Sequence, residues 1–232
     1  MPTQANEEDE DEQFPEEIKK KILIACLIAL TIGNMMILNV VSFLPTYIEQ
    51  TTWTSDDGFT PNSTDISIIL AAFSIAQIIF APFNGTIKNY LGSKNTIIIG
   101  FTMLTATTFG LGLMALITDP YMFIPVACVL RFFQGQGDIL LQITCYSVVT
   151  SIYSSDMMRY IGYIEICVGL GLGLGPSIGS FVYGYLGYAG TMYLFAGLNG
   201  FATVLCVFLI PNALNQTISE DIMAELEFEE EL

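Results

Sequence analysis

The chain has 232 residues, of which 53% are hydrophobic and 13% charged, and it carries a net charge of −16. An ordinary soluble domain carries roughly 25% charged residues, so a chain this apolar cannot cover its surface with polar groups in water and takes lipid as its outer solvent. The absence of histidine excludes Ser-His and Cys-His nucleophile systems and His-ligated metal sites, and leaves any proton coupling to carboxylates.

The acids gather at the two ends. Residues 7–12 are all acidic and are followed by Glu16 and Glu17, and the chain closes on Glu220, Asp221, Glu225, Glu227 and Glu229 to Glu231. Dense like charge repels itself and stays solvated. Residues 1–18 are therefore expected as a disordered acidic tail, and 212–232 as an acidic tail or the start of a loop. Such tails do not suit nucleic acid as a partner.

A membrane-spanning helix needs ~20 mostly apolar residues. In chain order, the spans expected are 22–44, 66–83, 96–117, 121–149, 160–186 and 191–210, together a six-helix bundle over 19–211. These runs are too long for barrel strands and show no alternation of polar and apolar residues. Turn signals divide them: Pro45, Asn84-Gly85, Asp119-Pro120, Ser154-Ser155-Asp156, Gly187 to Gly190, and Pro211-Asn212.

Basic residues set the expected orientation, because lysine and arginine near span ends are retained on the cytoplasmic side. Lys19, Lys20 and Lys21 precede the first span, Lys88 and Lys94 lie between the second and third, and Arg159 lies between the fourth and fifth. The other connections carry no lysine or arginine, and their charged residues are acids: Glu49, Asp56, Asp57, Asp65 and Asp119. Both termini are accordingly expected in the cytoplasm. The sequon at Asn62 falls in an external connection and is the expected glycosylation site; those at Asn84 and Asn215 fall on the cytoplasmic side.

The fourth span carries Arg131, Gln134, Gly135, Asp138, Gln142 and Cys145 on one face at ~100° per residue, opposite a face of Phe, Leu, Ile and Val. Intramembrane charge costs roughly 2.5–3.5 kcal/mol per residue on insertion scales, so the stripe is expected to face protein or a water-filled cavity and to serve function. The fifth span places Gly171, Gly175 and Gly179 in one ridge and Gly169, Gly173 and Ser177 in a second, with Pro176 to bend the helix. Smooth faces of this kind let another helix approach closely. The five cysteines all lie in apolar runs and form no CxxC pair, so neither a disulfide framework nor a metal site is expected. No cofactor-binding or enzymatic constellation is present in the sequence.

Residues 171–180, Gly-Leu-Gly-Leu-Gly-Pro-Ser-Ile-Gly-Ser, resemble the fifth-helix antiporter motif of the major facilitator superfamily, and Arg131-x-x-Gln134-Gly135-x-Gly137 resembles its fourth-helix motif. The superfamily's motif between helices two and three is matched only at its glycines and one lysine. Gly85, Asn89, Gly92 and Lys94 stand there, while the motif's acid and arginines are missing. That loop usually latches the two halves of the transporter through charge. The resemblance implies an all-α membrane protein in which six helices, a 3+3 repeat, form the N-terminal half of the fold. Gly162, Tyr163, Ile164, Glu165 and Leu186-Gly187-Tyr188 are similar to the vesicular amine and polyamine transporter branch. That likeness implies proton antiport of a cationic amine by alternating access, in a plasma membrane or an acidic vesicle membrane.

On this resemblance Arg131 and Gln134 line the cavity, Asp138 and Glu165 are the titratable candidates for protons or a cation, and Gly171, Gly175, Pro176 and Gly179 seal or hinge helix five. Transporters of this type rock two bundles against each other, so a second six-helix half, or self-association, is the expected partner. The glycine ridge is expected to meet that second bundle, and the polar stripe to need it as one wall. The alternative is a membrane subunit that kept the fold and does not transport, or a transporter of another solute class.

Overall fold

A computed structural model describes residues 15–215. Most of both acidic tails lies outside the described residues. Among those described the secondary structure is helical. The segments are α1 (Glu16–Gln50), α2 (Ser63–Leu91), α3 (Ser93–Leu113) with a 3-10 turn at Met114–Leu116, α4 (Pro120–Ile152), and a last segment, Met157–Leu209. That last segment has 53 residues and is broken at Gly187. At 1.5 Å per residue an unbroken helix of that length would run about 80 Å, nearly twice the thickness of a bilayer with its headgroups. Gly187 takes φ 64° and ψ −170°, a backbone shape open to glycine because it has no Cβ. The chain turns back there, and its two limbs are α5 (157–186) and α6 (188–209).

Among the described residues, four segments are long and apolar enough to cross a membrane: Glu16–Gln50, Ser63–Leu91, Ser93–Leu116 and Met157–Leu209. The helix carrying the polar stripe, α4, falls outside that set. The protein is an integral membrane protein built of helices.

Two turn signals did not act as stops. Pro45 lies inside α1, which continues to Gln50. A proline removes one backbone hydrogen bond, but surrounding protein makes that tolerable in membrane helices. Asn84 and Gly85 lie inside α2, which continues to Leu91. Asn84 is fully buried, and Gln136 Nε2 of α4 donates to its Oδ1 at 3.1 Å. The asparagine that reads as a turn residue is an interhelical contact. The first helix also begins at Glu16, inside the stretch expected as tail.

The core has two apolar ends with a polar layer between them. One cluster joins Ile22, Cys26 and Leu30 of α1 to Phe101 of α3, Leu141 and Cys145 of α4 and Cys206 of α6. The other joins Phe43 and Ile48 of α1 to Ile69, Leu111, Phe123, Tyr188 and Met192. All five cysteines are free thiols. Glycines set the closest approaches. A Cβ at Gly171 would lie 2.5 Å from the Thr31 carbonyl oxygen, one at Gly175 would collide with the Met35 carbonyl, and one at Gly179 with the Asn39 side chain. The ridge therefore seats α5 on α1 of the same bundle, which corrects the expectation that it meets a second bundle. The other ridge is the open one: a Cβ at Gly169 or Gly173 meets nothing within 4 Å.

Candidate functional site: a buried polar layer on α4

Two glycines sink α4 into its neighbours. A Cβ at Gly135 would collide with the backbone of Phe73 in α2, and one at Gly137 would come within 2.9 Å of the Gly100 carbonyl oxygen and of Met103 Cβ in α3. This close fit buries the polar side chains that flank the glycines. Arg131 is 1% exposed, and Gln134 and Asp138 are 0% exposed. The opposite face, with Val129 and Phe133, is about half exposed. The stripe faces protein, as expected, but its walls are α2 and α3 of its own bundle. The expectation that it needs a second bundle as a wall is corrected.

Arg131 and Gln134 form one unit. Arg131 Nη1 donates to Gln134 Oε1 at 2.6 Å, and Gln134 Nε2 donates to Thr108 Oγ1 of α3 at 2.9 Å. The guanidinium carbon stands 4.6 Å from the centre of the Phe73 ring, a cation–π contact from α2. Arg131 Nε is buried with no hydrogen-bond partner. Among the described residues no carboxylate pairs with this cation.

Asp138 belongs to a second unit, two turns along α4. Its Oδ2 accepts from Gln77 Nε2 of α2 at 2.8 Å and from Gln142 Nε2 at 2.6 Å, while Oδ1 is buried without a partner. Glu165 stands apart from both. It is exposed on α5, and Tyr146 Oη of α4 donates to its Oε1 at 2.6 Å. Thr108, Phe73 and Gln77 escaped the sequence reading. A lone glutamine in an apolar run, as at Gln77, is the signal that could have found one of them.

Of the motif between α2 and α3, Gly85 and Asn89 are exposed on the last turns of α2. Gly92 makes the turn with φ 79°, and a Cβ there would lie 2.5 Å from Asn215 Oδ1. Asn215 Oδ1 accepts from the backbone N–H of Lys94 at 2.8 Å, and Lys94 Nζ donates to Asn212 Oδ1 at 2.8 Å. The segment after α6 is thereby tied to this turn through the side-chain amides of Asn212 and Asn215, one of which accepts from the Lys94 ammonium. At the other end of the bundle, Asn62 is exposed and caps α2, accepting from Thr64 N at 2.8 Å and Asp65 N at 3.2 Å.

A profile of the Major Facilitator Superfamily matches residues 23–228. The chain belongs to the major facilitator superfamily. Members of the superfamily are transporters that move small solutes across the bilayer. Within it, the chain is similar to the quinolone resistance protein NorA of Staphylococcus aureus, 25% identical over 181 residues, which are 78% of this chain and 42% of NorA. It is also similar to the MFS-type transporter SLC18B1 of Homo sapiens, 21% identical over 151 residues, 65% of this chain and 33% of that protein. The chain spans less than half the length of these superfamily relatives.

Proposed function

We propose that the chain is the six-span, 3+3 half of a secondary active transporter that moves a small organic solute by alternating access. The observation that carries this reading is the buried Arg131–Gln134–Thr108 chain, an unpaired cation held inside an apolar bundle at a cost that scaffolding alone does not require. Proton coupling falls to Asp138, buried beside Gln77 and Gln142, or to the exposed Glu165. The tight seat of Gly171, Gly175 and Gly179 on α1 fits a seal, and Pro176 beside it fits a hinge. A cationic amine is the solute favoured by the likeness to the vesicular branch and by the exposed Glu165 carboxylate. A second six-helix half, or another copy of this chain, would complete the rocking pair.

The basic-residue alternation favours both termini in the cytoplasm of a plasma membrane or acidic vesicle membrane, with Asn62 external and open to glycosylation. A second reading is a non-transporting subunit. It draws on the α2–α3 turn, where the missing acid and arginines are replaced by amide contacts to Asn212 and Asn215. Uptake of a panel of amines into proteoliposomes under a pH gradient decides between the two. Transport lost in Arg131→Ala, with the helices still inserted, is the expected result; unchanged uptake would reduce Arg131 to scaffolding.

A further inference from the structure

Beside Arg131 a pocket of about 280 Å³ opens between α1, α2 and α4. Its walls include Leu38 and Val41 of α1, Leu70, Phe73 and Ser74 of α2, and Arg131 itself. Leu38 is 38% exposed and Val41 40%, so the mouth is open, while Phe73 and Arg131 are buried at 1%. Among the described residues no acid lines this space. The acid nearest along α4, Asp138, lies seven residues away, about 10 Å along the axis, and its Oδ2 is held by Gln77 and Gln142.

The charge of this pocket is thus wholly that of Arg131. One guanidinium nitrogen is engaged by Gln134, a face lies over Phe73, and Nε has no partner. A buried N–H left unmatched is destabilising, and a charge-assisted hydrogen bond to an anionic oxygen is among the strongest ways to satisfy it. An ammonium in the same space would meet a like charge across a low dielectric, where repulsion is strong. We infer that this pocket takes an apolar organic group bearing a carboxylate or carbonyl oxygen, which docks on the Arg131 guanidinium, and that it rejects an ammonium. Any cationic part of a solute is held elsewhere in the protein.

The inference rests on the reading of this face as the solute pathway, yet it concerns binding and is tested apart from transport. Phenylbutyrate and phenylbutylamine share an apolar body and carry opposite charge. Isothermal titration of both into the full chain in mild detergent is the experiment. Phenylbutyrate is expected to bind at least about tenfold more tightly, a ratio equivalent to about 1.4 kcal/mol. Arg131→Gln is expected to bring the two probes within about twofold. Leu38→Trp, at the half-exposed mouth and away from the buried layer, is expected to abolish phenylbutyrate binding with the fold intact. Equal or tighter binding of the amine, no binding of either probe, or phenylbutyrate binding that survives both substitutions would overturn the inference. Failure of every amine and acid to move in proteoliposomes would instead defeat the transporter reading, whatever the titration gives.

Discussion

Gln77 of α2 and Gln142 of α4 both donate to one oxygen of Asp138, at 2.8 Å and 2.6 Å, and leave its other oxygen bare. The Gln77 bond is part-buried and joins α2 to the fully buried Asp138 of α4. A double-mutant cycle on Gln77→Ala and Asp138→Ala should give a coupling free energy of about 0.6–1.7 kcal/mol, the range for interhelical hydrogen bonds in membranes. Unfolding in mixed micelles reports it. Strict additivity would mean that the bond adds nothing to stability.

The two glycine ridges of α5 should respond oppositely to added side chains. Gly175→Leu drives carbon into the Met35 backbone of α1. It should lower stability by about 1–3 kcal/mol, as overpacking does. Gly173→Ala has open space, and should leave stability unchanged or raise it by up to about 1 kcal/mol through helix propensity. Thermal melts of the two variants in detergent check the contrast; equal losses would show that the ridges are not distinguished.

Asn215 serves as the cap that Gly92, lacking a side chain, does not give to α3. Asn215→Ala should cost about 1 kcal/mol, the usual worth of a helix cap, and should speed hydrogen exchange at the Lys94 and Asn95 amides. Gly92→Ala should do the same, because φ of 79° strains any residue with a Cβ. Unaltered exchange at those amides in Asn215→Ala would show that the contact does not persist in solution.

Acid should release the loop between α1 and α2. Tyr121 Oη donates to Asp57 at 2.5 Å, and this bond, with the Phe59 N–H, holds the Asp57 carboxyl below its ordinary range. A group whose pKa is lowered on folding contributes stability above its unfolded pKa and loses it as pH falls through the folded value. Docking of the loop should therefore be complete above pH ~4 and weaken below it. The single tryptophan, Trp53, packs on Phe123 in this loop with ring centroids 5.0 Å apart, so its emission is the natural reporter. In Tyr121→Phe the acid transition should move up toward the ordinary aspartate range. A transition at the same pH in both proteins would remove Asp57 from the account.

Much of this protein could be read without its fold. Apolar run length gives the membrane helices, because hydrocarbon requires each backbone to satisfy itself locally. The 3.6-residue period puts Arg131, Gln134 and Asp138 on one face, and the glycine spacing gives a ridge. Gly187 could be read as a turn because only a residue without Cβ adopts its backbone shape readily.

The tertiary structure decided what those faces meet, since partner choice depends on residues distant in sequence. Spacing alone could not say that Gly175 rests on Met35 of the same bundle while Gly173 stays open, because both ridges read alike along the chain. It could not say that Asn84 ends no helix, since its partner Gln136 lies 52 residues away. Nor could it separate Arg131, with Gln134 and Thr108, from Asp138, with Gln77 and Gln142. The helix periodicity places these groups on one stripe, and only the packing of α2 and α3 against α4 divides them into two sites.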